Sequence, residues 1–124
     1  MLQNRRIHRT VAVLAAILLL AGCAGTPSGA AVVGRWGSTS SGQPNLDIQS
    51  DGTFSGTDGC NRLSGQGQID GDEITFGSIA STMMACEGVD TWLSKAATGN
   101  VSGDTMTVLD DGGSTIGTLN RSGS

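Results

Sequence analysis

The stretch Asp51-Gly52-Thr53-Phe54-Ser55-Gly56-Thr57-Asp58-Gly59-Cys60-Asn61-Arg62-Leu63-Ser64-Gly65 decides how the rest of the chain is read. Asp51-Gly52 is a tight-turn dipeptide, because aspartate and glycine reach the turn conformations at little cost. A short apolar/polar alternation follows. Then come a second turn, a cysteine, and a new alternation from Leu63. That is the pattern of a hairpin within an antiparallel sheet.

The same signals recur on both sides. Val32-Val33-Gly34-Arg35-Trp36 is a first short strand, and Leu46-Asp47-Ile48-Gln49 alternates apolar and polar. Leu63 to Ile69 places Leu63, Gly65, Gly67 and Ile69 on one face, and its glycines suggest a bend or a close backbone approach. Asp70-Gly71 turns into Ile74-Thr75-Phe76. Ser102-Gly103-Asp104 turns Val101 into Thr105 to Leu109, and Asp111-Gly112-Gly113 turns into Thr115 to Leu119. Hairpins in series make a mainly β antiparallel meander. On the last strand Ile116 and Leu119 fall on opposite faces, and Leu119 is assigned inward.

One segment breaks the period. Val89, Trp92, Leu93 and Ala96 follow i, i+3, i+4, i+7, with acids early, Lys95 late and Gly99 after. This predicts one α-helix over about 89–98, its apolar stripe closing one end of the sheet.

The N-terminus reads as a targeting segment rather than as fold. Arg5, Arg6 and Arg9 precede the apolar run 11–20, and Ala21, Gly22 and Cys23 follow. A basic head, a short apolar run and small residues describe a secretory signal. The run is shorter than the ~20 apolar residues a membrane-spanning helix needs. Leu20-Ala21-Gly22-Cys23 resembles the bacterial lipobox, which implies cleavage after residue 22 and a lipid on Cys23. The expected division is a signal over 1–22, the lipidated Cys23 and a Gly/Ser/Pro-bearing tether over 23–31, a domain over 32–121, and a tail over 122–124.

Three cysteines bound the redox chemistry. Cys60 and Cys86 can pair, which leaves Cys23 for the lipid. An exported location permits a bridge, and the pair lacks the Cys-x-x-Cys spacing that tunes thiol reactivity. Two free thiols or a redox pair are the competing readings.

Gly59-Cys60-Asn61-Arg62 and Thr82-Met83-Met84-Ala85-Cys86, with Trp36, Asp51-Gly52, the segment 89–98 and the final hairpin, resemble the META domain, the heat-shock-lipoprotein-like family. The resemblance covers nearly all of 32–121. It implies a small antiparallel barrel of lipocalin-like topology and a stress- or envelope-linked role, and it implies no settled biochemical activity. The sequence departs from the family at Leu119, where an aromatic residue often closes the last strand, with Gly117 two residues earlier.

The chemistry available to such a domain is narrow. Residues 23–124 contain no histidine and no tyrosine, since His8 lies in the signal. Serine–histidine and cysteine–histidine catalysis are therefore excluded within one processed chain. Two cysteines without histidine make a poor zinc site. Lys95 is the single lysine and falls on the polar face of the predicted helix. The Asp70, Asp72, Glu73 group and the Asp110, Asp111 pair sit in or beside turns, where aspartate is common anyway. No catalytic residue, metal or cofactor is expected. Asn61 and Arg62, beside Cys60, are the candidate recognition residues.

After removal of 1–22 the chain keeps 4 basic and all 11 acidic residues, a net charge of −7. That disfavours nucleic acid and anionic headgroups as partners. The expectation is a non-enzymatic, monomeric lipoprotein on the extracytoplasmic face of the cell membrane, in contact with the membrane through the lipid on Cys23. A lipocalin-like small-ligand-binding barrel is the alternative. A pocket lined by Phe54, Phe76, Met106 and Trp36 would favour that alternative.

Overall fold

The structure, a computed structural model, describes residues 30–122. They form ten strands: β1 (Gly34–Gly37), β2 (Asn45–Ile48), β3 (Thr53–Thr57), β4 (Arg62–Gln66), β5 (Gln68–Asp70), β6 (Glu73–Thr75), β7 (Ala80–Ser81), β8 (Thr98–Ser102), β9 (Thr105–Leu109) and β10 (Thr115–Asn120). Two five-stranded sheets result, in the orders β1-β2-β3-β4-β7 and β10-β9-β8-β6-β5, with every pairing antiparallel. The meander read from the turn dipeptides is what forms.

Turn chemistry places the strands. Gly52 has φ +88°, and a Cβ there would lie 2.2 Å from the Gly67 carbonyl oxygen. Only glycine lets that turn pack against the bend between β4 and β5. The long alternation Leu63 to Ile69 breaks at the buried Gly67, where the chain passes from the first sheet into the second. Gly65 faces inward too: a Cβ on it would lie 2.6 Å from Phe54 Cζ. The glycines make room for Phe54, which meets Phe76 edge-to-face with ring centroids 5.1 Å apart. That contact joins the inner faces of the two sheets, around a core that includes Trp36, Leu46, Ile48, Leu63, Ile74, Met106, Val108 and Leu119.

Two expectations need correction. The two sheets are not closed into the barrel implied by the family resemblance. At the seam between β1 and β10 the link is an isolated bridge between Trp36 and Arg121. At the other, β7 is two residues long and ends its sheet. A barrel needs a continuous ladder at every seam.

The predicted α-helix over 89–98 is a single 3₁₀ turn, Trp92–Lys95. Its apolar spacing is real, since Leu93 and Ala96 are buried and Trp92 packs against the core. But Ala96 is extended, the Ala97 N–H donates to the Leu109 carbonyl at 2.8 Å, and Thr98 already belongs to β8. An isolated helix of this length is marginal in water, and the sheet ladder takes its last residues.

The last strand carries a register shift between Thr115 and Gly117. A bulge at Ile116 changes the side-chain alternation, so Ile116 packs against the core while Leu119, 3 % exposed, is inside it. Leu119 thus points inward, as assigned.

Candidate functional site

The two sequence motifs meet at the end of the first sheet. The hairpin loop between β3 and β4 is organised by Asp58, which is 1 % exposed. Its Oδ1 accepts from the Cys60 N–H at 2.9 Å and the Asn61 N–H at 2.6 Å. The Thr57 hydroxyl donates to the Asn61 carbonyl at 2.7 Å and accepts from the Gly59 N–H at 3.0 Å. Such side-chain-to-backbone bonds are the usual reason for aspartate and threonine in tight loops. The second carboxylate oxygen of Asp58 is buried and has no hydrogen-bond partner.

This rigid loop holds the segment after β7. Cys60 and Cys86 form a disulfide with Cα atoms 5.8 Å apart, within the range a bridge requires. Asn61 is 8 % exposed and turns its amide onto the facing chain. Its Oδ1 accepts from the Met84 N–H at 2.5 Å and the Thr82 hydroxyl at 3.0 Å, and its Nδ2 donates to the Met84 carbonyl at 3.2 Å. The Thr82 hydroxyl in turn accepts from the Arg62 N–H at 3.0 Å, and the Thr82 N–H donates to the Arg62 carbonyl at 3.2 Å. The side-chain amide of Asn61 therefore extends the β4–β7 ladder by one rung.

The candidate recognition pair separates. The Asn61 amide is committed to backbone, whereas the Arg62 side chain is exposed on the outer face of β4. What the clasp presents is the segment it holds. Among the described residues the exposed large apolar side chains are Met83 and Met84, at 94 % and 60 %. Thiol chemistry at Cys60 and Cys86 is closed while they are bonded. Cys23 lies outside the described residues.

The other candidates occupy turns or open surface. Asp110 Oδ1 accepts from the Gly112 and Ser114 N–H groups, each at 3.0 Å, so it serves its own turn. Asp70 and Glu73 face each other across the β5–β6 hairpin, both exposed, and Lys95 is exposed as well. Among the described residues no group of three or more histidine, cysteine, aspartate or glutamate side chains is placed to hold a metal.

An open groove of about 660 Å³ runs beside β1 and β2, touching Arg35, Trp36, Leu46, Asp47 and Arg121. It does not reach Phe54, Phe76 or Met106, which are buried. Arg121 is committed here to structure. Its guanidinium carbon lies 4.2 Å from the Trp36 ring centroid. It also donates to the Val33 carbonyl at 3.1 Å and to the Ala31 carbonyl, and pairs with Asp104 at 3.6 Å.

The sequence reading passed over Asp58, the Thr82 hydroxyl and strand β7. Asp58-Gly59 followed by Cys-Asn was a legible loop signal. Strand β7, two residues without alternation, gave none.

Among families, the model described as META domain matches residues 25–123. No curated protein and no solved structure matches the chain.

Proposed function

The chain belongs to the META-domain family, and from that premise we propose that it is a lipid-anchored, extracytoplasmic lipoprotein with a non-enzymatic binding or structural role in the cell envelope. The observation that carries this reading is the Cys60–Cys86 disulfide. Disulfides persist in exported proteins and are rare in reducing compartments. The third cysteine, Cys23, follows the apolar run 11–20 and the small residues Ala21 and Gly22, where acylation would anchor the chain. Two acyl chains, at ~0.8 kcal/mol per buried CH₂, suffice for stable attachment.

A non-enzymatic role is supported by what the hydrogen-bonded polar side chains do. Asp58 Oδ1, the Asn61 amide and the Arg121 guanidinium bond backbone groups, and the Thr82 hydroxyl bonds the Arg62 N–H and the Asn61 amide oxygen. The alternative of a ligand carried inside the fold has less support, because Phe54, Phe76 and Met106 fill the interior. The experiment is Cys23→Ala with fractionation and mass analysis of the N-terminus. Loss of the diacylglycerol mass and of membrane attachment is the expected result. Unchanged membrane fractionation with normal cleavage would overturn the anchor.

A further inference from the structure

The free side of β7 has the chemistry of a docking edge. Strand β7 pairs with β4 in the register Leu63 to Ser81 and Ser64 to Ala80, and it ends its sheet. In an antiparallel ladder, alternate residues direct both backbone polar groups at the neighbour. The Thr82 N–H donates to the Arg62 carbonyl, and both backbone polar groups of Met84 are taken by Asn61. Residues 80, 82 and 84 therefore face inward along the ladder. By the same alternation Ile79, Ser81 and Met83 direct their N–H and C=O groups away from the sheet.

Exposed edges in stable domains are normally blunted by charge, proline, bulges or a covering loop. Here residues 74–86 contain no charged residue and no proline. Ala80, Ser81 and Thr82 are exposed and small, and Met83 and Met84 stand exposed beside them. The disulfide and the Asn61 amide hold this edge in extended form, which lowers the ordering cost of adding a strand.

We propose that Ile79 to Met83 docks an extended segment of a partner protein as an added strand, with apolar side chains packing on Met83 and Met84. Methionine suits such a role because its flexible thioether adapts to varied side chains. Strand addition combines main-chain hydrogen bonds with side-chain contacts at alternate positions. Charge selects among occupants. Residues 30–122 carry 11 acids against 4 basic residues, and exposed Glu87 and Asp90 follow the edge, while Arg62 stands one strand in, on β4. A second copy of the same acidic domain is repelled, as is an anionic lipid surface. The fitting partner segment is uncharged along the edge and bears lysine or arginine at its ends.

This specifies the partner of the binding role proposed above and does not depend on the anchor. The test uses the full chain in detergent micelles and a nine-residue peptide, valine and threonine alternating between two terminal lysines. Amide exchange is followed by NMR. The expected result is at least tenfold slower exchange of the Ile79, Ser81 and Met83 amides on adding peptide. Ser81→Pro should abolish that protection with an unchanged melting temperature, because the N–H it removes faces outward and proline is tolerated at such edge positions. If Ser81→Pro does not fold, Met83→Lys provides the second variant, and at least tenfold weaker binding is expected. No protection by the peptide, or protection insensitive to the folded variant, overturns the proposal. So does protection that rises with protein concentration alone, which would mean a second copy, or protection seen only on anionic vesicles. Cys23→Ala leaves these outcomes unchanged, so failure here and failure of the anchor are distinguishable.

Discussion

The indole of Trp92 occupies the space that a side chain at position 117 would need. A Cβ built on Gly117 would lie 2.6 Å from Trp92 Cη2 and 2.7 Å from Cζ2 and Cζ3. The space beside Gly117 is thus filled from elsewhere in the chain. The 3₁₀ turn brings Trp92 onto β10, and glycine at 117 lets it lie flat against the strand.

This pair gives a double-mutant test. Gly117→Ala should destabilise the domain by about 1–3 kcal/mol through overpacking. Trp92→Ala, which removes a half-buried indole, should cost about 2–3 kcal/mol, below the range of fully buried aromatics. In the double variant the Gly117→Ala penalty should largely vanish, since the clash is gone. Additive urea-unfolding energies would mean that the two residues do not share the space.

Removing the clasp amide should loosen one segment more than the whole domain. Asn61→Ala leaves the Met84 N–H and carbonyl without their partner. We expect a global loss of about 1–3 kcal/mol. Amide exchange should accelerate first at 82–85. Uniform acceleration across both sheets would show that the clasp is no separate unit.

Reduction of the Cys60–Cys86 bridge should cost about 3–4 kcal/mol, from the entropy of a loop closed over 26 residues of separation. Denaturant midpoints of oxidised and reduced protein measure this directly. Equal midpoints would remove the bridge from the account of stability.

Arg121→Ala removes a cation from the Trp36 face and two donors to the carbonyls of Val33 and Ala31. A loss of about 2–3 kcal/mol is expected. Arg121→Lys should recover part of it, because a single ammonium cannot reproduce the guanidinium fork. Because the contact ties the chain's last strand to residues 31–33, exchange at 31–36 should rise in Arg121→Ala. A stable variant with protected 31–36 amides would contradict that role.

Asp51 supplies a pH signature. The Thr53 backbone N–H, donating to its Oδ1 at 2.9 Å, and the Thr53 side chain hold its carboxyl below the usual value of 3.8. A carboxyl with a lowered folded-state pKa contributes stability that is present above the unfolded value and is lost as pH falls through the folded one. The difference in stability between the wild type and Asp51→Ala should thus be constant near neutrality and shrink only below about pH 4. A difference that changes between pH 5 and 8 would assign the effect to another group.

How much of this was legible beforehand follows from how local each feature is. The turn dipeptides fall where strands end: Asp51-Gly52 lies between β2 and β3, and Asp70-Gly71 closes β5 and opens its turn into β6. Gly65 and Gly67 marked an inward face and a bend. The pairing of Cys60 with Cys86 was open to expectation once the lipobox resemblance set Cys23 aside, with two free thiols as the competitor. Each of these rests on a residue's own conformational range or on its chemistry, so neighbours in sequence suffice to read it.

Other features required the tertiary structure. The apolar spacing of Val89, Trp92, Leu93 and Ala96 matched a helix, yet sheet hydrogen bonds to β9 offered the following residues more than another helical turn. The bulge at Ile116 is set by pairing with β9, so its side-chain direction is invisible in β10 alone. Asn61 looked like a surface recognition residue because nothing local shows that Met84, 23 positions later, brings its backbone to the amide. The open edge at β7 is of the same kind. Whether a strand is central or last depends on which segments find it, and only the folded sheet decides that. The sequence by itself determined the hairpins and the available cysteines, because these are properties of single residues and their neighbours. The tertiary structure decided which polar groups are consumed internally and which strands end the sheets, because both depend on contacts between distant parts of the chain.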